Sequence, residues 1–151
     1  MALHQATRQG VKRKERQFAE DYFIYQVEFA AANLTPGSQV DGNIQIQADS
    51  DFKWLRSTFY ADIAGAIFTF NTRPIPQVTV QIVDSGSGRQ LVQIPVPVES
   101  MFGFGFLPYV LPIPRVFKAR SNIQFTVANF SSASSYNLRL SLHGTKVFMT
   151  G

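Results

Sequence analysis

The sequence contains no cysteine. That excludes a disulfide framework, thiolate metal ligation and a cysteine nucleophile at once. Histidine is nearly as scarce, with two in 151 residues, and the acids number ten. Acid–base catalysis therefore has few groups to draw on, and a zinc site lacks its three imidazole or thiolate ligands. Charged residues make up 16% of the chain, against about a quarter in an average globular protein. No apolar run approaches the roughly 18 residues of a membrane helix, and the longest apolar stretch, 101–116, is broken by glycine and proline. The opening residues, MALHQATRQGVKRKERQ, lack the apolar centre of a secretory signal. The expectation from these absences is a protein that is not an enzyme, takes no cofactor or metal, and enters no membrane.

What the chain has in quantity is phenylalanine, fourteen residues against a single tryptophan. So much aromatic area with so little charge implies a large core, or apolar surface that a partner covers. The net charge of +4 is not spread over the chain. Residues 1–17 carry Arg8, Lys12, Arg13, Lys14 and Arg16 against Glu15, which accounts for the whole excess. The remainder balances nine bases with nine acids, so it exerts no general pull on nucleic acid or an anionic membrane. The arm also has no aromatic residue before Phe18 on which a base could stack. Direct nucleic-acid binding is not expected. Extended, a segment of 17 residues reaches about 55–60 Å, enough to cross an interface and lie on a neighbour.

From residue 18 to 151 the pattern is that of strands. Phe23, Tyr25, Val27 and Phe29 alternate with Gln26 and Glu28, and Ile44, Ile46 and Ala48 alternate with Asn43, Gln45 and Gln47. Residues 52–61 place Trp54, Arg56, Thr58 and Tyr60 on one face and Leu55 and Phe59 on the other. Residues 64–70 suggest another short strand before a proline-rich turn. Val78, Val80 and Ile82 form the cleanest alternation, and Ser85-Gly86-Ser87-Gly88 turns the chain toward a strand at 89–98. Pro95 and Pro97 confine that strand to an edge. Ile123, Phe125 and Val127, then Tyr136, Leu138, Leu140 and Leu142, complete the set. Seven to nine strands and no amphipathic helix predict an all-β fold, a single antiparallel β-sandwich of jelly-roll or related type, preceded by an extended basic arm. The expected core is Phe23, Val27, Ile44, Ile46, Val78, Val80, Ile82, Phe125, Val127, Leu138 and Leu140.

Few constellations point to chemistry. His143 lies out of phase with Leu138, Leu140 and Leu142, so it faces solvent or a partner rather than a core triad. Asp49-Ser50-Asp51 with Asp41 offers oxygens for calcium, but an acidic turn explains it as well. The glycines at 86–88 and 103–105 lack phosphate-loop spacing. The segment MFGFGFLPYVLPIP, residues 101–114, stands out. Its glycines and prolines exclude a helix and a regular central strand. Phe102, Phe104 and Phe106, followed by Tyr109, either fill the core or form an apolar loop that docks on another subunit. Together with the five basic residues of the arm, they are the candidate interface residues.

Four stretches, Gln45–Trp54, Asp84–Arg89, Leu107–Pro112 and Tyr136–Leu140, resemble the small jelly-roll structural proteins of tailed-bacteriophage virions, of the cement or decoration type. The resemblance runs from Tyr22 to Phe148 without one diagnostic motif. It implies a protein of the virion that binds the capsid exterior, bridges adjacent copies of the major capsid protein and contacts copies of itself. The basic arm departs from that pattern. A second reading is a carbohydrate-binding sandwich of a phage tail or lectin type, in which Trp54 and Tyr60 share an open face and stack on a sugar. Exposure of Trp54 separates the two.

Overall fold

The computed structural model describes residues 17–64 and 75–150. The basic residues of the arm and the strand expected at 64–70 lie outside the described residues, except for Ala64 at the margin. The chain is in its first strand, β1 (Gln17–Phe29), by residue 17. There Tyr25, Val27 and Phe29 point into the core while Tyr22, Ile24, Gln26 and Glu28 stay outside, as the period-two pattern requires.

The second strand, β2 (Gln39–Gln45), buries Ile44, and Ile46 is buried just past its end. Ala48, expected to face in, is exposed. The strand ends at Gln45, and Ile46, the next residue, makes its backbone hydrogen bonds with Arg120 and Ser121. The ammonium of Lys146 donates to the side chains of Gln47 and Asp49, the latter at 3.2 Å, while lying 4.1 Å over the Phe23 ring. Phe23, covered by that ammonium, is only half-buried against the core, which corrects its expected core place.

β3 (Asp51–Ile63) contains a register shift between Trp54 and Arg56, where it pairs with both its neighbours. A bulge adds one residue and so exchanges the two faces of the strand beyond it. Phe52 and Trp54 are inward before the bulge, and Ser57, Phe59 and Ala61 are inward after it. Trp54 and Tyr60 therefore lie on opposite faces.

β4 (Val78–Asp84) buries Val78, Val80 and Ile82. Asp84 closes the turn that follows by accepting hydrogen bonds from the Gly86 N–H and the Ser87 hydroxyl, both at 3.0 Å. Gly88 adopts φ +67, the left-handed conformation that favours glycine. Two two-residue strands, β5 (Arg89–Gln90) and β6 (Val96–Pro97), then pair in succession with β4. The prolines keep this connection at an edge, as expected.

After a single 3-10 turn at Val98–Ser100 the chain reaches β7 (Tyr109–Phe117), β8 (Asn122–Asn129) and β9 (Tyr136–Thr150). One sheet has the order β1-β9-β3-β7, the other β2-β8-β4-β5 with β6 also on β4. All these pairs are antiparallel. Among the described residues, with β5 and β6 taken as one interrupted strand, eight strands form two four-stranded sheets. The chain changes sheet at every connection except the hairpin from β4. That is the jelly-roll topology, built from two Greek keys. The two inner faces meet on Phe52, Trp54, Phe102, Phe117, Phe125, Ile82 and Leu140, all at most 1% exposed.

Candidate functional site

The segment between the 3-10 turn and the end of β7 divides into a buried root and an exposed tip. Its root is pinned to β3. The Gly103 N–H donates to the Ser57 carbonyl at 3.1 Å, the Phe59 N–H donates to the Gly103 carbonyl at 2.8 Å, and the Ser57 hydroxyl donates to the Met101 carbonyl. A Cβ on Gly103 would stand 2.2 Å from the Leu107 carbonyl oxygen, so only glycine permits this approach. The pinning drives Phe102 inward, where it is fully buried. Phe102 is thus core, which corrects its place among the interface residues.

Phe104 is half-buried with its ring centroid 5.0 Å from that of Phe59. Phe106 stacks on it at 5.5 Å and 9° but is itself 66% exposed. Tyr109 is half-buried at the start of β7. Here the sequence expectation was incomplete. A regular strand begins at Tyr109, inside the proline-bearing segment 101–114, because β7 is an edge strand where Pro112 and Pro114 break few ladder bonds. Pairing with β3 holds at Tyr109–Val110 and again at Arg115–Phe117. Between those points the prolines arch the strand and leave Ile113 81% exposed. Leu107, Val110 and Val116 are more than half exposed beside it. An open groove of about 400 Å³ lies behind the arch, lined by Trp54, Leu91, Met101, Tyr109, Leu111 and Ile113 among others. The result is an apolar surface built on a rigid edge. Val110, Ile113 and Val116 were not singled out from the sequence, although the edge-strand prolines beside them were the available signal.

His143 projects from the outer face of β9, a central strand of the same sheet, between β1 and β3. Tyr22 Oη lies 2.8 Å from its Nδ1 and Thr58 Oγ1 lies 2.8 Å from its Nε2. Both ring nitrogens are therefore occupied by hydroxyls, and a neutral ring, donor at one nitrogen and acceptor at the other, satisfies both. Burial, and then the nearby Arg56 guanidinium, hold its pKa below the ordinary 6.5. The unfolded chain accordingly takes up this proton at higher pH than the folded one does. Stability should fall as pH drops below about 6.5 and level off once the folded-state pKa is passed. Melting curves at pH 7.5 and 5.5 should show a smaller loss for His143→Gln than for the wild type. Equal losses would remove His143 as the cause.

Neither of the other two ligand readings keeps its geometry. Trp54 is 1% exposed and its indole N–H donates to the Arg56 carbonyl at 2.9 Å, so the sugar platform of Trp54 and Tyr60 does not exist. The three acids considered for calcium are engaged separately. Asp49 binds Lys146, Asp51 accepts from the Ala119 N–H, and Asp41 accepts from Thr126. Lys146 is the main reason that the Asp49 pKa is lowered from 3.8. Among the described residues no group of three or more acids or histidines is placed to hold a metal ion.

No family model matches the chain, and no curated protein does. Solved structures of infectious bursal disease virus are among those it is similar to. The VP2 subviral particle is 10% identical, with 91% of this chain and 34% of that chain covered and a TM-score of 0.31. The Gt strain is 9% identical at TM-score 0.29, covering 91% and 34%, and the Gx strain 11% identical at 0.29, covering 91% and 33%. The chain spans about a third of the length of these proteins.

Among the described residues, five exposed large apolar side chains, Phe106, Leu107, Val110, Ile113 and Val116, belong to one edge strand and the loop before it, while Tyr22, Ile24, Tyr60, Ile75, Ile94 and Phe130 stand elsewhere, and exposed apolar patches of this kind mark protein contacts.

Proposed function

We propose that this protein is a non-enzymatic structural protein of a virion that docks on neighbouring coat subunits and cements them. The observation that carries this reading is the apolar surface on the β7 edge, Phe106, Leu107, Val110, Ile113 and Val116, each more than half exposed. A jelly roll is a fold in which coat proteins are built, though the fold alone assigns no function. The partner is a major capsid protein and further copies of this chain, met at the capsid exterior. The body's balanced charge and its Gln-, Asn-, Ser- and Thr-rich outer faces favour protein contacts over nucleic acid. Many modest contacts repeated over a symmetric shell add up through multivalency.

The arm supplies a second attachment. Exposed ion pairs contribute only about 0.2–1 kcal/mol each, so the five bases do not anchor it alone. Backbone pairing, or Leu3 and Val11, supplies the rest, and high salt should release the protein only in part. The test is occupancy on assembled particles. Val110→Ser with Ile113→Ser should bind at least about tenfold more weakly at an unchanged melting temperature, since both side chains are exposed. Deleting residues 1–16, which leaves β1 intact, should likewise lower occupancy without changing the melting temperature. Full occupancy of the surface variant would overturn the docking role, and full occupancy of the truncated chain would make the arm idle.

A further inference from the structure

The two edges of the four-stranded sheet match each other, and we infer that the docking surface on β7 receives the β1 edge of a second copy, head to tail. The inference rests on the docking reading above and names its partner. In the order β1-β9-β3-β7 every pair is antiparallel, so β1 and β7 run antiparallel to one another. Two copies side by side in the same orientation thus bring β7 of one against β1 of the next with the sheet's polarity continued.

The register then pairs the edges row by row. One row crosses the sheet through Tyr22, Thr145, Lys53 and Val116, and another through Ile24, His143, Arg56 and Val110. Level neighbours place Tyr22, 62% exposed, opposite Val116, and Ile24, 43% exposed, opposite Val110. A third row runs through Asp21, Lys146, Phe52 and Phe117, one residue before Lys118. The acids Glu20 and Asp21 therefore stand at the level of Lys118, whose ammonium lies 3.7 Å from Asp51 of its own chain yet is 84% exposed and open to a second acid. Charge follows the same division. β1 carries Glu20, Asp21 and Glu28 and no base, whereas residues 109–120 carry Arg115, Lys118 and Arg120 and no acid. Glu28, at the far end, is already 3.6 Å from Arg139 and is not needed.

Such an interface is heterologous, joining different patches of the two copies, so it extends to a ring or an array rather than closing as a two-fold dimer. Pro112 and Pro114 prevent a continuous backbone ladder across it, which leaves side chains to make the contact and keeps it reversible. Among the described residues the outer edge of β1 has no partner strand, an open edge that is otherwise an aggregation hazard, and a matched neighbour covers it.

The test uses the full chain and two charge-reversed variants. Glu20→Lys with Asp21→Lys gives two basic edges, and Arg115→Glu with Lys118→Glu gives two acidic ones. In sedimentation velocity over a concentration series, the wild type should form oligomers beyond the dimer. Each variant alone should associate at least about tenfold more weakly, while an equimolar mixture, whose edges again match, should recover association. Far-UV circular dichroism and melting confirm that both variants fold. A wild type that stays monomeric, one that stops at a dimer, or a mixture that fails to recover association would each overturn the head-to-tail contact. If the chain is monomeric yet the Val110 and Ile113 variant still loses particle occupancy, the docking surface stands and its partner is another coat protein.

Discussion

Replacing Gly144 by alanine should leave little folded protein. Gly144 lies on the inner face of β9, between Phe23 of β1 and Trp54 of β3. A Cβ there would meet the Lys53 carbonyl oxygen at 1.9 Å, its carbon at 2.9 Å and the Phe52 ring at 3.0 Å. The ring can rotate, but the backbone oxygen has nowhere to go. β3 is held at this level by β9 on one side and β7 on the other, and its bulge begins at the next residue. Overpacking a core usually costs about 1–3 kcal/mol and sometimes more. A clash with doubly paired backbone belongs at the upper end, a large share of the roughly 5–15 kcal/mol that stabilises a typical domain. Soluble yield and the urea midpoint measure the effect. A midpoint unchanged from wild type would mean that the bulge does not bring Lys53 over Gly144.

The contrast between Phe102→Ala and Phe106→Ala is the next largest effect, because two residues four apart should fail in different ways. Phe102 is fully buried, and its truncation should cost about 3–5 kcal/mol. For a chain of this length that corresponds to a fall in melting temperature of roughly 6–20 °C. Phe106 is 66% exposed, so its removal should move the melting temperature by no more than about a degree or two while weakening association with coat subunits. Phe104 does not separate the two roles, since it packs on Phe59 and Phe106 at once. Scanning calorimetry read beside particle occupancy decides the matter. Equal losses of stability for the two variants would make the whole segment core.

Several parts of this architecture are legible in the residues because their cause is local. Alternation at Val78, Val80 and Ile82, or at Leu138, Leu140 and Leu142, follows directly from the two-residue period of a strand with one buried face. The turn at 85–88 follows from Asp84 and two glycines, and the short paired stretches after it follow from Pro95 and Pro97. Phe102 and Phe106 were less legible. Both belong to the same Phe-Gly alternation, and only the pinning of Gly103 between Ser57 and Phe59 sends one inward and leaves the other out.

The sequence by itself determined the all-β class, the sandwich, much of its core, the edge position of the proline-bearing stretch at 89–98 and the confinement of net charge to the first 17 residues, because each depends on periodicity, backbone chemistry or composition. Tertiary structure decided the rest. The bulge between Trp54 and Arg56 reversed the face of every residue after it, burying Trp54 away from Tyr60, and it arises where β3 must pair with β9 and β7 at once. The matching of the β1 and β7 edges likewise exists only once the strand order has put an acidic strand at one side of the sheet and a basic one at the other. Contacts between residues distant in sequence leave no period in the chain, so they become visible only when the sheets have formed.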